Sequence, residues 1–250
     1  MKEDQKLHIS IKAEKIFEFL GLPITNSLLL SLVVFLIFTF LALFYYSQSK
    51  AKKKGSFYYF VNFIVKSLYR LFYPVLREKA DYFFPLLASF FLFILFQNWF
   101  GLLPGVGSIL AKVKEYNQFV YIPLFRANTA DLNTTLALAI ISVFLSQVFA
   151  IKYLGFRAYI GKFYRLRDPI SFFIGTLEII SEISKVISFA FRLFGNIFAG
   201  EVLLTIIAFL IPVLVSFPFL ILEVFVGFIQ ALVFSMLTTV FISVAIAKNH

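Results

Sequence analysis

The architecture follows first from residues 169–211, which read PISFFIGTLEIISEISKVISFAFRLFGNIFAGEVLLTIIAFLI. No proline interrupts this segment after its first residue, and its apolar residues keep a helical spacing. A continuous α-helix of this length extends about 63 Å, twice the hydrocarbon thickness of a bilayer at about 30 Å. We therefore expect a helix over 169–211 that is strongly tilted, bent or broken near Gly195 or Gly200. A turn bracketed by Pro212 and Pro218 leads to a return helix over 219–247, which completes a long hairpin inside a membrane.

The composition of the whole chain also indicates a membrane protein. Of its 250 residues, 61% are hydrophobic and 14% charged, against about 45–50% and about 25% in soluble domains. Long uncharged stretches predict further spans over 24–46, 82–102 and 130–152. Residues 56–77 combine an apolar stripe with a basic one, which predicts an amphipathic helix in the membrane interface, or alternatively a helix packed on a soluble partner. The fold class is an all-α membrane protein with about five membrane-embedded helices and one interfacial helix.

The net charge of +10 comes from 23 Lys and Arg against 13 Asp and Glu. Eight bases lie in 47–81 and five in 152–168, which the positive-inside rule places on the cytoplasmic side. We expect the arm over 1–23 outside and the C-terminus at Lys248 in the cytoplasm. Nucleic-acid binding is not needed to explain these bases. The chain has no Cys and its two His lie at the termini, so no metal site and no cofactor are predicted.

Charged residues within the C-terminal hairpin are the candidate functional groups, because a charge at bilayer depth costs about 2.5–3.5 kcal/mol on insertion scales. At 100° per residue, several polar and small residues fall within about 40° of Arg192 on one helix face. The members of this polar stripe are Glu178, Ser181, Lys185, Ser188, Arg192, Asn196 and Ala199. Glu201 points to the opposite side, whereas Glu223 and Gln230 share a face of the return helix. We expect Glu201 and Glu223 to meet between the two helices.

Arg192 then faces a partner that carries an acid, because guanidinium stays protonated and pairs with carboxylate through two parallel hydrogen bonds. Pairing with a glutamate of its own chain is the alternative. Glu201 and Glu223 in one low-dielectric site suit a proton relay, and a simple hydrogen-bonded packing pair is the alternative. Glu178 and Lys185 either serve an ion path or extend to the headgroups.

The run FRLFGNIFAGE at 191–201 resembles subunit a of F-type ATP synthases, the stator subunit that carries protons past a rotating ring of c subunits. The resemblance covers most of the chain from about residue 83. Further matching residues are Glu178, Lys185, Glu223 and Gln230, with TADLNTT at 129–135 and QNWFGLLPG at 97–105.

This resemblance implies that Arg192 is the arginine that faces a c-ring carboxylate and prevents protons from passing directly between two offset half-channels. It implies that Glu201 and Glu223 line the half-channel open to the outside. Asn196 and Gln230 match polar neighbours of the arginine.

On the same resemblance, Glu178 and Lys185 match positions toward the cytoplasmic exit. Asp131 lines the outer access path or, as the residue that opens a helix, is simply an N-cap. The implied partners are the c-subunit ring, the peripheral-stalk b subunits, the rest of the ATP synthase and the lipid bilayer. ATP chemistry falls to other subunits, because the chain has no Gly-rich phosphate loop and no catalytic site of its own. The implied location is the bacterial inner membrane, with an organellar inner membrane as the alternative.

The sequence departs from the family pattern at several positions. Family members often have His at one position of the pair formed here by Glu201 and Glu223, and Asn128 stands where relatives usually have Pro. Glu182 is an additional acid without an assigned role. A rival interpretation is a stand-alone transporter that binds an anion at Arg192, but this predicts an internal repeat that the sequence lacks. An inert scaffold would leave the polar stripe unexplained.

Overall fold

A computed structural model describes residues 13–19, 21–103, 105–115, 118–163, 169–210 and 216–247. The α-helices are α1 (Asn26–Lys50), α2 (Ser56–Leu76), α3 (Ala80–Gly101), α4 (Leu132–Leu154), α5 (Phe156–Phe163), α6 (Pro169–Leu210) and α7 (Ser216–Ile246). The strands are β1 (Lys15–Phe19), β2 (Leu22–Thr25), β3 (Leu110–Glu115) and β4 (Gln118–Pro123). The predicted all-α membrane class is confirmed, because helices dominate the described residues and are long and apolar enough to cross a bilayer.

Five helical segments of the described chain have the length and hydropathy of membrane spans. They are Asn26–Lys50, Ser56–Gly101, Leu132–Leu154, Ile170–Leu210 and Ser216–Ile246. In the most apolar part of α1 only 17% of residues are buried inside the protein, so most of its apolar surface is available to lipid. Contact with lipid accounts for the large hydrophobic fraction that a core of this size does not bury.

A short segment, Arg77–Lys79, separates α2 from α3. Pro74 lies in the last turn of α2, where its ring removes one backbone hydrogen bond of the helix. Arg77 follows with φ of 50°, a left-handed conformation that is uncommon outside glycine. Leu68 and Phe72 are buried against the rest of the bundle, so α2 places one face on the protein and leaves the other exposed.

Two small β-hairpins are present that the sequence did not predict. The strands β1 and β2 pair antiparallel, and so do β3 and β4. Asn26 joins the two hairpins, because its side-chain amide donates to the Pro123 carbonyl at 3.3 Å and to Glu14 at 3.4 Å. Strands of four to six residues are too short for their alternation to stand out in a chain this apolar.

The C-terminal hairpin contains one unbroken helix of 42 residues, α6, which continues through Gly195 and Gly200. The sequence predicted a helix that is strongly tilted, bent or broken, and the continuous helix excludes the break. The return helix begins at Ser216 instead of residue 219, so Pro218 lies in its first turn, where proline is well tolerated. Several sequence predictions fall outside the described residues, namely residues 1–12 of the arm, the basic stretch 164–168, Pro212 and Lys248.

The bundle core forms where α3, α4, α6 and α7 meet. Phe83, Leu87, Ile94, Leu193 and Ile242 are almost completely buried there. Between helices in lipid, close van der Waals packing rather than transfer from water provides most of the stabilisation. Because α6 buries Leu193 and its neighbours one and four residues away, the polar stripe on the opposite face remains outside the core.

Candidate functional site

The polar stripe of α6 forms an exposed surface around Arg192. Ser188, Arg192 and Asn196 are exposed, and Lys185 is half-buried. The Arg192 guanidinium donates to the Ser188 hydroxyl at 3.4 Å, one helical turn away. Among the described residues no ion pair includes Arg192, so they do not supply the own-chain glutamate considered from the sequence. The guanidinium is free to meet an acid on another molecule.

Gln230 lies beside Arg192 across the interface between α6 and α7. The two side chains border the same small gap of about 10 Å³, together with the apolar residues Phe189, Leu193, Phe234 and Leu237. Gln230 is half-buried, and Asn196 is exposed one turn further along α6. The structure therefore brings Arg192, Asn196 and Gln230 to one region of the hairpin.

Glu201 and Glu223 line one cavity of about 310 Å³ at the end of the bundle that carries the β-hairpins. Other polar side chains on its wall are Glu14, Asn26, Asn98, Arg126 and Thr205. Glu223 is buried on α7 with its carboxyl group directly against Gly200, so closely that an added Cβ at residue 200 would overlap it. Glu201 is the next residue of α6, which brings the two acids to the same wall. We call this space the outer cavity.

Arg126 is a residue of the outer cavity that the sequence did not predict. Its Nε lies 3.1 Å from Oε1 and 3.2 Å from Oε2 of Glu201, and only 8% of the arginine is exposed. The guanidinium carbon lies 5.8 Å from the Phe198 ring centroid, in cation–π range. A signal was present, because Arg126 comes shortly before the Thr129–Asp131 run that resembles a family motif.

Hydrogen bonds from α3 position the part of α7 that carries Glu223. The Asn98 amide donates to the Gly227 carbonyl at 2.9 Å and accepts from the Thr129 hydroxyl at 2.5 Å. The Trp99 indole N–H donates to the Val224 carbonyl at 3.0 Å. An added Cβ at Gly227 would lie 3.1 Å from the Asn98 Cβ, so glycine allows this close approach. These contacts hold α7 at a defined rotation, with Glu223 turned toward α6.

Asp131 has a structural role as the N-cap of α4. Its carboxylate accepts from the Asn133 backbone N–H at 3.0 Å and from the Ser27 hydroxyl at 3.0 Å. It is buried and is not among the described residues that line the outer cavity. Asn128, which stands where relatives usually have Pro, accepts from the Thr134 hydroxyl at 2.9 Å and so supports the same helix start.

A second cavity of about 860 Å³ lies at the other end of the bundle, and we call it the inner cavity. Its wall combines Glu182 and Lys185 of α6 with Gln147 of α4 and Tyr159 of α5. Glu182 accepts from the Lys185 ammonium and from the Gln147 amide, each at 2.6 Å. Partial burial and the nearby Glu182 carboxylate raise the pKa of the Tyr159 phenol. Glu178 is half-buried on α6 and is not among the described lining residues, whereas Glu182 lies on the wall. The role of Glu178 toward the exit stays a prediction.

Arg192 lies between the two cavities along α6. Lys185 is seven residues before it and Glu201 nine residues after it, which correspond to about 10 Å and about 13 Å of helix. Neither cavity includes Arg192 among its described lining residues. The arrangement provides polar access from each end of the bundle, with one fixed positive charge between the two.

We expect Gly200→Ala to move the Glu223 carboxyl group without preventing folding, because the overlapping atoms belong to the end of a flexible side chain. The proton flux that the family resemblance implies should fall several-fold, measured in membrane vesicles. A second change, Glu223→Asp, shortens the side chain and should recover part of this loss. Normal flux in Gly200→Ala vesicles would contradict the importance of this contact.

Comparison with known proteins assigns the chain to a family. The family model for the ATP synthase A chain matches residues 28–243. ATP synthase subunit a of Moorella thermoacetica is 34% identical over 175 residues, which cover 70% of each chain. The protein of the same name from Syntrophobacter fumaroxidans is 34% identical, covering 76% of this chain and 72% of its own, and that from Geobacter sulfurreducens is 33% identical over 76% and 75%. The matched region spans most of the chain and includes Arg192, Glu201 and Glu223. The chain therefore belongs to the ATP synthase A chain family and is an integral membrane protein of the ATP synthase complex.

Proposed function

We propose that this chain is the stationary proton-translocating subunit of its ATP synthase, and that its two cavities load and unload a carboxylate on a rotating ring of c subunits. The observation that carries the proposal is the position of Arg192. It is exposed on α6 between the two cavities, and the described residues give it no carboxylate partner. A charge at this depth is costly and must be matched by a partner in the membrane.

Entry begins in the outer cavity. A proton reaches Glu223 and Glu201 and neutralises a carboxylate of the ring, which then moves into lipid without the cost of burying a charge. Gly200 gives the Glu223 carboxyl group its space beside Glu201. Arg126 forms an ion pair with Glu201 and so keeps this acid on the cavity wall.

Exit takes place through the inner cavity. A protonated ring carboxylate that arrives beside Lys185 and Glu182 meets polar, wettable surface and releases its proton there. Arg192 attracts the ionised carboxylate and repels protons, so the ring must turn for a proton to cross. Each crossing is worth about 2.3 kcal/mol per 100 mV of membrane potential.

The proposal also includes the partner subunits and the orientation of the chain in the membrane. The exposed stripe around Arg192 faces the c ring, and the peripheral-stalk b subunits pack on other parts of the bundle. The helix over 56–77 lies in the interface of a bacterial inner membrane. Lys152 and Lys79 contact Tyr82 and Tyr153 near the inner cavity, which supports a cytoplasmic location for that end. The N-terminus is then outside.

A solitary transporter with Arg192 as an anion site is the less favoured function. Such a site encloses its ligand in a cavity, whereas Arg192 is exposed on the surface of the described bundle. The two functions also differ in the partner that they require.

Purification in mild detergent tests the proposal. We expect a ring of small hairpin proteins to remain bound to the chain, and Ala199→Trp to remove it, because the indole would project from the exposed stripe into the contact. Leu36→Trp is the matched control, since Leu36 is 66% exposed on α1 and faces lipid. A chain that purifies without the ring, or a ring retained by Ala199→Trp, would contradict the proposed contact. Flux measured with and without Na⁺ identifies the coupling ion.

A further inference from the structure

We infer that Glu182 is a positioning residue that cancels the positive charge of Lys185 in the inner cavity, so that protons cross this cavity without an electrostatic barrier. The inference rests on the proposed function and assigns a role to an acid that the family resemblance leaves without one. It concerns the charge balance of the cavity wall and not a proton carried by Glu182 itself.

The Glu182 carboxylate contacts side chains of two helices, α6 and α4. Oε1 lies 2.6 Å from the Lys185 ammonium on the same helix. Oε2 accepts from the Gln147 amide of α4 at 2.6 Å. The Gln147 carbonyl oxygen in turn accepts from the Tyr159 hydroxyl of α5 at 3.0 Å, which fixes the amide orientation. Both carboxylate oxygens of Glu182 therefore accept from donors, and its ion pair with Lys185 is held in place by α4 and α5.

The ion pair of Lys185 and Glu182 is partly buried, so an unbalanced charge at either residue would be felt inside the inner cavity. The Lys185 side chain is 29% exposed and that of Glu182 is 17% exposed, so water screens them only in part. Lys185 shares the polar stripe with Arg192, about 10 Å away along the helix. A unit charge at this distance changes the proton affinity of an acid by about one pH unit at an effective dielectric constant of about 20. An uncompensated Lys185 would therefore oppose every proton in the inner cavity.

Among the described residues that line the inner cavity, no charged group is present besides Glu182 and Lys185. Glu178 on α6 and Lys79 beside the Tyr153 ring lie nearby but do not line the cavity. On the described wall, α4 adds Gln147 and Tyr153, and α5 adds Tyr159. The face of α7 is apolar, and the Phe241 ring centroid lies 5.0 Å from the Lys185 ammonium. Glu182 is thus the only carboxylate among the described residues that line the cavity, and Lys185 is the only cation.

The test is ATP-driven proton pumping by the whole complex in inverted membrane vesicles, recorded against the pH of the bath, which contacts the inner cavity. Glu182→Gln leaves an excess positive charge, lowers proton affinity in the cavity, and should shift the half-maximal pH about one unit down. Lys185→Gln leaves an excess negative charge and should shift it about one unit up. The double variant Glu182→Gln with Lys185→Gln should return the half-maximal pH to that of the parent, whatever its maximal rate. Glu182→Asp keeps the negative charge and should leave the half-maximal pH at the parent value.

Two results would overturn the inference. One is a double variant that retains the displacement of Glu182→Gln, and the other is a Lys185→Gln profile without an upward shift. If the complex with Glu182→Gln fails to assemble, the direction of the pH shift in Lys185→Gln tests the inference by itself. The Arg192→Ala variant distinguishes failure of this inference from failure of the proposed function on which it rests. Pumping by Arg192→Ala would refute the proposed function, whereas blocked Arg192→Ala together with unshifted charge variants would refute only the role of Glu182.

Discussion

Replacement of Arg192 by Ala or Lys stops coupled ATP synthesis while the complex still assembles. The arginine is exposed and its described hydrogen bond is a long one to Ser188, so packing loses little. The loss is electrostatic, and we expect a fall of at least about 100-fold, comparable to removal of one preorganised donor from a water-excluded site. Lys keeps the charge but not the planar fork that pairs with a carboxylate through two bonds.

The measurement is ATP synthesis driven by a proton gradient in vesicles, with the amount of assembled complex determined in the same membranes. Arg157→Ala is the matched control, because Arg157 is an exposed arginine on α5, outside the candidate spans. It should retain the parent rate. ATP-driven pumping at the normal rate in Arg192→Ala vesicles would exclude Arg192 from the transport step.

Replacement of both outer-cavity acids, Glu201→Gln with Glu223→Gln, nearly abolishes proton flux. Gln has the shape of Glu but cannot accept and release a proton at neutral pH, so the path from the outer side loses both of its titrating groups. The single change Glu201→Gln should slow flux by a smaller factor, because Glu223 remains on the same wall.

Flux through detergent-purified complex reconstituted into vesicles checks this expectation. Glu18→Gln is the control, because Glu18 is an exposed acid on β1, where its carboxylate pairs with Lys15. A double variant that transports at the parent rate would reduce Glu201 and Glu223 to a packing pair. The same double variant also removes the ion pair between Arg126 and Glu201 that is present in the parent.

The sequence left alternatives open at two acids, Glu182 and Asp131. Glu178 and Glu182 lie four residues apart and therefore only about 40° apart on the helix, so periodicity does not tell which of them reaches a cavity. Contacts with other helices determine which acid lines the cavity, because the Gln147 amide of α4 donates a hydrogen bond to Glu182. For Asp131, the contacts with Asn133 and Ser27 show the helix cap, which was one of its two predicted roles, and a role in the outer access path stays a prediction.

The sequence by itself determined the membrane class, the long hairpin and the polar stripe through Arg192. These depend on hydropathy and helical period, which act between residues close in the chain and are imposed by the lipid. Only the tertiary structure decided that Arg126 pairs with Glu201, 75 residues away, and that Gln147 contacts Glu182, 35 residues away. Such pairs depend on how separate helices and loops pack against one another, and local pattern carries no record of that packing.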